Sequence, residues 1–331
     1  MRENYLLELG GENTNLGKHE ALELLKFRKY NPKIEFDYQK IIIISTSNEI
    51  DDKVMSRLSM TRRISKVIFT STRNNLQMAL EDLEKIDIGK NSFAIRQIGT
   101  QNLNGKSALI SVGEKISSKN KTDLRNPEVT VLLYRLKRTF ISLNYKEWET
   151  GYKRCLDHHI SNRPYFSPIS INPRIARAMV NLSNCNGEEP LIDPFCGTGG
   201  ILIEAADMGI EVTGIDLKEK MVEFTKGNLK HYGFKGKLIA SDFGEISNQD
   251  FSSIVCDPPY GIASTTGGED IKDLMKRCLD SFQKKMAKKQ RLVLAVSNPN
   301  IVENPNLKLL HKFEWYIHKS LTRNIIVLEK N

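Results

Sequence analysis

Four short apolar runs in the second half of the chain each lead into an aspartate: "PLID" reaches Asp193, "EVTGID" Asp216, "KLIASD" Asp242 and "SSIVCD" Asp257. Runs this short are strand-sized, and helical patterns over 199–208, 217–232 and 270–288 lie between most of them. Short apolar runs alternating with helices predict an α/β fold with a doubly wound, mostly parallel sheet. In such a sheet ligands bind beyond the carboxyl ends of the strands, so the four acids are expected along one edge, facing one site. The last two runs, "KFEWYIHKS" and "TRNIIVLEKN", nearly abut. A parallel pair needs a crossover of about a dozen residues, so these two are expected to be antiparallel.

The loop after the first run, "DPFCGTGG", carries Gly197, Gly199 and Gly200 around Thr198. Glycines there let the backbone turn sharply and approach a ligand closely. The pattern is neither G-x-G-x-x-G nor a Walker loop, and an acid at its entrance favours a cationic ligand over a phosphate. Asp216, about 20 residues on, stands where an acid accepts both hydroxyls of a ribose. Asp242 is placed to meet the edge of an adenine. A nucleoside bearing a positively charged amino-acid tail is S-adenosylmethionine. Asp193, Phe195, Gly197, Thr198, Gly199, Gly200, Asp216, Leu217, Asp242 and Phe243 are the candidate cofactor residues.

The fourth run opens "DPPYG", 257–261. Pro258 biases Asp257 away from helical geometry, and the two prolines fix their own φ. Neither has an N–H, so the Pro258 carbonyl can face a ligand beside the Asp257 carboxylate. Two neighbouring acceptors suit the two hydrogens of an exocyclic amine, and Tyr260 offers a face for its base. Asp257, Pro258 and Tyr260 are the candidate catalytic group, for methylation of an amino nitrogen.

The chain has 331 residues and a formal net charge of +9. That excess lies forward: residues 1–165 hold 28 Lys and Arg against 20 Asp and Glu, and residues 166–331 hold 21 against 20. A basic front half suits a polyanionic partner. Five cysteines without C-x-x-C spacing predict reduced thiols, no disulfide and no metal site. With no apolar run near the roughly 18 residues of a membrane span, and no signal-peptide pattern at the start, a cytoplasmic protein with no membrane partner is expected.

"DPFCGTGG", "GID", "SD" and "DPPYG" stand in the order of the class I S-adenosylmethionine-dependent methyltransferases, which residues 170–331 resemble, including the reversed last strand. In that family [DN]-P-P-[YF] belongs to enzymes that methylate amino nitrogens. Upstream, "SFAIRQIG", "VGEKI" and "TDLRNPEVTVLL" resemble the THUMP domain of RNA-modifying enzymes, which usually follows a small ferredoxin-like module. The resemblance implies a ferredoxin-like module over 1–62, a THUMP domain over 63–146, a linker over 147–169 and a Rossmann-like methyltransferase domain over 170–331. Arg96, Arg125, Lys137 and Arg138 are then candidates for RNA contact. "RPYFSPISINPRIARAMVNL", "DPPYG" and "HKSLTRNIIVLEK" look like the archaeal tRNA guanine-N2 methyltransferases. That resemblance implies tRNA as partner, N2-methyl- and N2,N2-dimethylguanosine at position 10 as product, and room for a small activating protein subunit. Relatives acting on position 6 usually have Asn where this chain has Asp257. Another tRNA position, rRNA, or an inactive THUMP RNA-binding adaptor remain as alternatives.

Overall fold

A computed structural model describes residues 2–71, 91–98, 113–114, 120–136, 140–167, 170–245, 251–259, 269–319 and 321–331. In the front half these give β1 (Glu3–Leu9), α1 (Thr14–Phe27), β2 (Lys33–Tyr38), β3 (Ile41–Thr46), α2 (Asp52–Met55), β4 (Thr61–Ser71), β5 (Phe93–Ile98), β6 (Val129–Leu136) and β7 (Phe140–Trp148). The seven strands form one sheet in the order β2-β3-β1-β4-β7-β6-β5. β6 and β7 pair antiparallel, as their alternation predicts, and β5 lies parallel to β6 at the sheet's edge. Leu6, Ile41 and Ile43 pack with Leu132 and Tyr134 on one face. The sequence also predicts helices over "NLQMALEDLEKI" and "SALISVGEKISS"; the first and most of the second fall outside the described residues.

The rest of the chain folds as α3 (Gly151–Asp157), α4 (Pro173–Leu182), β8 (Leu191–Asp193), α5 (Gly200–Asp207), β9 (Val212–Asp216), α6 (Glu219–His231), β10 (Lys237–Ala240), β11 (Ser253–Cys256), α7 (Ile271–Lys285), β12 (Arg291–Val296), β13 (Leu307–His318) and β14 (Leu321–Lys330). Its sheet runs β10-β9-β8-β11-β12-β14-β13. The first five strands are parallel, and β14 runs antiparallel to both β12 and β13. One face packs Ile175, Met179, Ile201, Val255 and Val293, the other Ile254, Leu279, Phe282 and Leu294. Strands buried on both sides explain why β8, β11 and β12 read as unbroken apolar runs. All five cysteines are free and buried.

By packing, the chain divides into two units that are not consecutive in sequence. One is Met1–Leu9, Tyr30–Asp52 and Arg63–Glu149; the other is Gly10–Lys29, Lys53–Arg62 and Thr150–Asn331. α1 therefore belongs with the C-terminal sheet. Its Glu20 carboxylate is fully buried and accepts hydrogen bonds from Ser59 N (2.9 Å), Ser59 Oγ (2.8 Å), Met60 N (2.8 Å) and Asn181 Nδ2 (2.8 Å). The same contacts correct a sequence expectation. The sequence of 52–60 predicts a short helix, but α2 ends at Met55, and the amides of Ser59 and Met60 turn to Glu20 instead of back along a helix.

Candidate active site

Every strand from β8 to β12 points its carboxyl end at one edge of the sheet, and a cavity of about 560 Å³ opens there. Asp193, Phe195, Gly197, Thr198, Gly200, Asp216, Leu217, Asp242, Phe243, Asp257 and Pro258 all line it. The structure thus gathers the predicted group with two exceptions. Gly199 is outside the lining, and Tyr260 lies outside the described residues.

The glycine loop is fixed from β9 and α6. Cys196 N donates to Ile215 O at 2.9 Å, and Thr225 Oγ1 donates to Gly197 O at 2.8 Å. Gly199 caps α5 with φ 82°, a left-handed conformation that costs a side-chain-bearing residue. A Cβ there would also stand 3.0 Å from Thr225 Cγ2. Its contribution is the turn, which lets Gly200 start a helix at the cavity wall.

Each acid is held differently. Asp193 is buried, its Oδ1 accepting the Phe195 N–H at 3.1 Å. Burial pushes its carboxyl well above the usual carboxylate range, and the nearby Asp257 and Asp216 push the same way. Asp216 accepts two backbone amides, Gly197 N at 3.0 Å and Lys218 N at 2.9 Å, one on each oxygen. A carboxylate has about four acceptor directions, which leaves capacity for two hydroxyls. Asp242 accepts Gly244 N at 2.7 Å and a fork from Arg277, at 2.9 and 3.3 Å. Burial raises the Asp242 carboxyl, but the Arg277 and Gly244 hydrogen bonds outweigh it and the net effect is downward. Asp257 faces Arg323, whose Nη2 lies 3.2 Å from Asp257 Oδ2.

Among the lining residues that escaped the sequence reading are Ser170, Glu269, Arg277 and Arg323. Arg277 lies with its guanidinium carbon 4.3 Å from the Phe243 ring centre and also pairs with Glu269, at 2.8 Å. Ser170 Oγ shares a 3.0 Å hydrogen bond with Thr198 Oγ1. Nearby, Asn228 clamps the connecting segment to the loop, its Nδ2 donating to Tyr165 O (2.7 Å) and Thr198 O (2.8 Å) and its Oδ1 accepting Tyr165 N (3.0 Å). Arg323 had a readable signal, because the first residues of a reversed strand lie at the edge where the parallel strands end.

The candidate RNA residues lie elsewhere. Arg96 on β5 and Arg125 are both exposed. They share one edge of the front sheet, since Phe93 N donates to Lys121 O and Asp123 N to Phe93 O, each at 2.9 Å. Lys137 and Arg138 lie outside the described residues. Among the described residues no cluster of His, Cys, Asp or Glu could hold a metal ion, and no helix is long and apolar enough to cross a membrane.

A parallel sheet closed by a reversed strand, with an acid at each of four strand ends, is the class I methyltransferase fold. The family model described as UPF0020, RMKL-like methyltransferase domain, matches residues 161–305. The solved structure of TrmN from Thermus thermophilus shares the fold at TM-score 0.55 and 18% identity, covering 99% of this chain and 100% of that one. Among curated proteins, the tRNA (guanine(10)-N2)-dimethyltransferase of Methanothermobacter thermautotrophicus is 32% identical over 282 residues, 83% of this chain and 84% of that protein. The protein of the same name from Pyrococcus abyssi is 30% identical over 339 residues, covering 98% and 99%. The chain belongs to the archaeal tRNA (guanine(10)-N2)-dimethyltransferase family.

Proposed function

We propose that this protein methylates the exocyclic N2 of guanosine 10 in tRNA, using S-adenosylmethionine and yielding N2-methyl- and N2,N2-dimethylguanosine. The observation that carries the reading is the juxtaposition, in one cavity, of the acids Asp193 and Asp216 with Asp257 and Pro258, in a chain of this family. The donor set fits the cofactor. Asp216 has acceptor capacity for ribose hydroxyls, Asp193 sets a carboxyl against an ammonium group, and Asp242 stands where an adenine amine would reach. Phe195 and Leu217 supply apolar wall.

When bound, the cofactor supplies an electrophilic methyl carbon on a cationic sulfur, and transfer of that methyl to nitrogen leaves S-adenosylhomocysteine. The chain's own residues handle the nucleophile. A guanine amine is weakly nucleophilic because its lone pair is delocalised into the ring. The Asp257 carboxylate and the Pro258 carbonyl accept its two hydrogens and aim the nitrogen. As the nitrogen becomes positive, Asp257 stabilises it and takes, directly or through water, the proton it loses. Tyr260 stacks on the base, at roughly 1–3 kcal/mol per stacked base. The target leaves its helical stack to reach the cavity, at a cost of a few kcal/mol. RNA recognition falls to the THUMP-like front unit, through Arg96, Arg125, Lys137 and Arg138.

The test is to incubate the purified chain with S-adenosylmethionine and undermodified tRNA and map the product by mass spectrometry. N2-methylated guanosine at position 10 is expected, and its formation by this chain alone would dispense with a small activating subunit. Methylation at another nucleotide would transfer the reading to the corresponding alternative substrate. Cofactor binding without methylation of any RNA would leave an RNA-binding adaptor.

A further inference from the structure

β14 runs against the parallel strands, with Val296 opposite Asn324 and Arg291 opposite Glu329. Its beginning therefore meets the edge where β11 ends. This brings Arg323, 4% exposed at its side chain, to Asp257, 16% exposed. Both line the cavity. A guanidinium this deeply buried has given up its water, unlike a surface cation, so what it meets inside matters. Its five N–H donors form a rigid planar fork that can serve an acid and a second acceptor together.

The base that would lie against these groups has a defined edge. Guanine presents, in a row, the N2 amine, the N1–H and the O6 oxygen: donors, a donor, then an acceptor. Adenine presents its N1 lone pair beside the N6 amine. The two oxygens of a carboxylate followed by a guanidinium give acceptor, acceptor, donor, which complements guanine's row, whereas adenine would set its N1 lone pair against the second carboxylate oxygen. We infer that Arg323 determines base specificity, donating to guanine O6 while Asp257 accepts from N1–H and the N2 amine. The inference rests on the guanine-N2 reading above and adds the group that reads the far end of the base.

The experiment is a cycle of two enzymes and two substrates. tRNA transcripts carry either guanosine or 2-aminopurine riboside at position 10. 2-Aminopurine keeps the 2-amine but lacks O6, and its N1 carries no hydrogen. The N1 change meets Asp257, so a further transcript carrying 6-thioguanosine, which keeps N1–H and replaces O6 by a weaker acceptor, repeats the cycle with O6 alone altered. The wild-type protein should methylate guanosine much faster in single turnover. Arg323→Met should slow both reactions through a less well-placed Asp257. It should also lose about tenfold or more additional rate on guanosine, the scale of one specific base contact. Arg323→Lys, which keeps a charged donor, should retain part of that preference, and it carries the same cycle if the Met variant does not fold. Affinity for S-adenosylhomocysteine should be nearly unchanged in either variant. Equal losses on the two substrates would overturn the O6 contact while leaving the guanine-N2 reading intact. A wild-type protein that methylated neither transcript would overturn that reading and this inference with it.

Discussion

Asp216 and Asp257 flank Asp193, at the ends of strands on either side of β8, and the chain secures them by different means. Asp216 is held by two backbone amides from its own loop and from the glycine loop. Asp257 is approached by a buried guanidinium from a strand some 65 residues further along. The first arrangement is local and charge-free, suited to an acceptor that fixes neutral hydroxyls. The second brings a full opposite charge up against the carboxylate. On the proposed reading, one side of the edge holds the ligand and the other serves the chemistry.

The largest expected effect tests the chemical side. Asp257→Ala removes an orienting acceptor and the charge opposite a nitrogen that becomes positive, so single-turnover methylation should fall about 10²–10³-fold. Cofactor affinity should hardly change. Asp257→Asn keeps an acceptor oxygen and should lose less. Wild-type rates in the alanine variant would erase the distinction between the two acids.

Asp216→Ala should show the converse. Losing charge-assisted bonds to the ribose costs roughly 1.5–3 kcal/mol, or about 10- to 100-fold in cofactor affinity. With cofactor saturating, the rate should recover, as calorimetry and single-turnover kinetics together would show. A variant of normal affinity and low rate would place Asp216 on the chemical side.

Asp193 stands between the two, and pH reads it. Its carboxyl in the folded protein is raised, by burial first and then by Asp257 and Asp216. The stability this contributes is fully present below the ordinary carboxylate range and is lost as pH rises through the folded value. A cationic cofactor favours the ionised form, so binding near that value should release a fraction of a proton and tighten as pH rises. Titration calorimetry in two buffers of different ionisation enthalpy measures the release, and Asp193→Asn should abolish it. Proton uptake on binding would contradict the assignment.

The acids were legible because their signal is local. A strand-length run that leads into Asp says in a few residues what sits at a strand end, and β8, β9 and β11 all follow it. Asp242 was legible as a position only: it comes two residues after β10 ends at Ala240, and nothing nearby in sequence announced Arg277, 35 residues on. Arg323 was contained in the segment "HKSLTRNIIVLEK", but its contact with Asp257 depends on a register between β12 and β14 that no window displays. α1 reads as an ordinary amphipathic helix, and its partner is visible only once Asn181, 161 residues away, is seen donating to Glu20. β2 went unread because "KIEFDY" is an edge strand with mostly exposed side chains and a register shift between Ile34 and Phe36. An edge strand half in water lacks the apolar alternation that burial imposes.

The smallest expected effect probes a third way of holding an acid. Asp242 and Arg277 form a forked pair, as Asp257 and Arg323 form a close one, yet their side chains are 35% and 44% exposed. Exposure decides the energetics: water already solvates both partners, so such a pair contributes about 0–1 kcal/mol. Arg277→Ala should therefore shift thermal stability by less than about 1 kcal/mol, part of it from the lost contact with the Phe243 ring. It should also let the Asp242 carboxyl rise, since the Arg277 hydrogen bonds, with that of Gly244, are what overcome burial there. Carboxyl-carbon NMR across an acid titration would follow that rise directly. A destabilisation of several kcal/mol would mean that the pair behaves like the buried one at Asp257, and that exposure is not what separates the two.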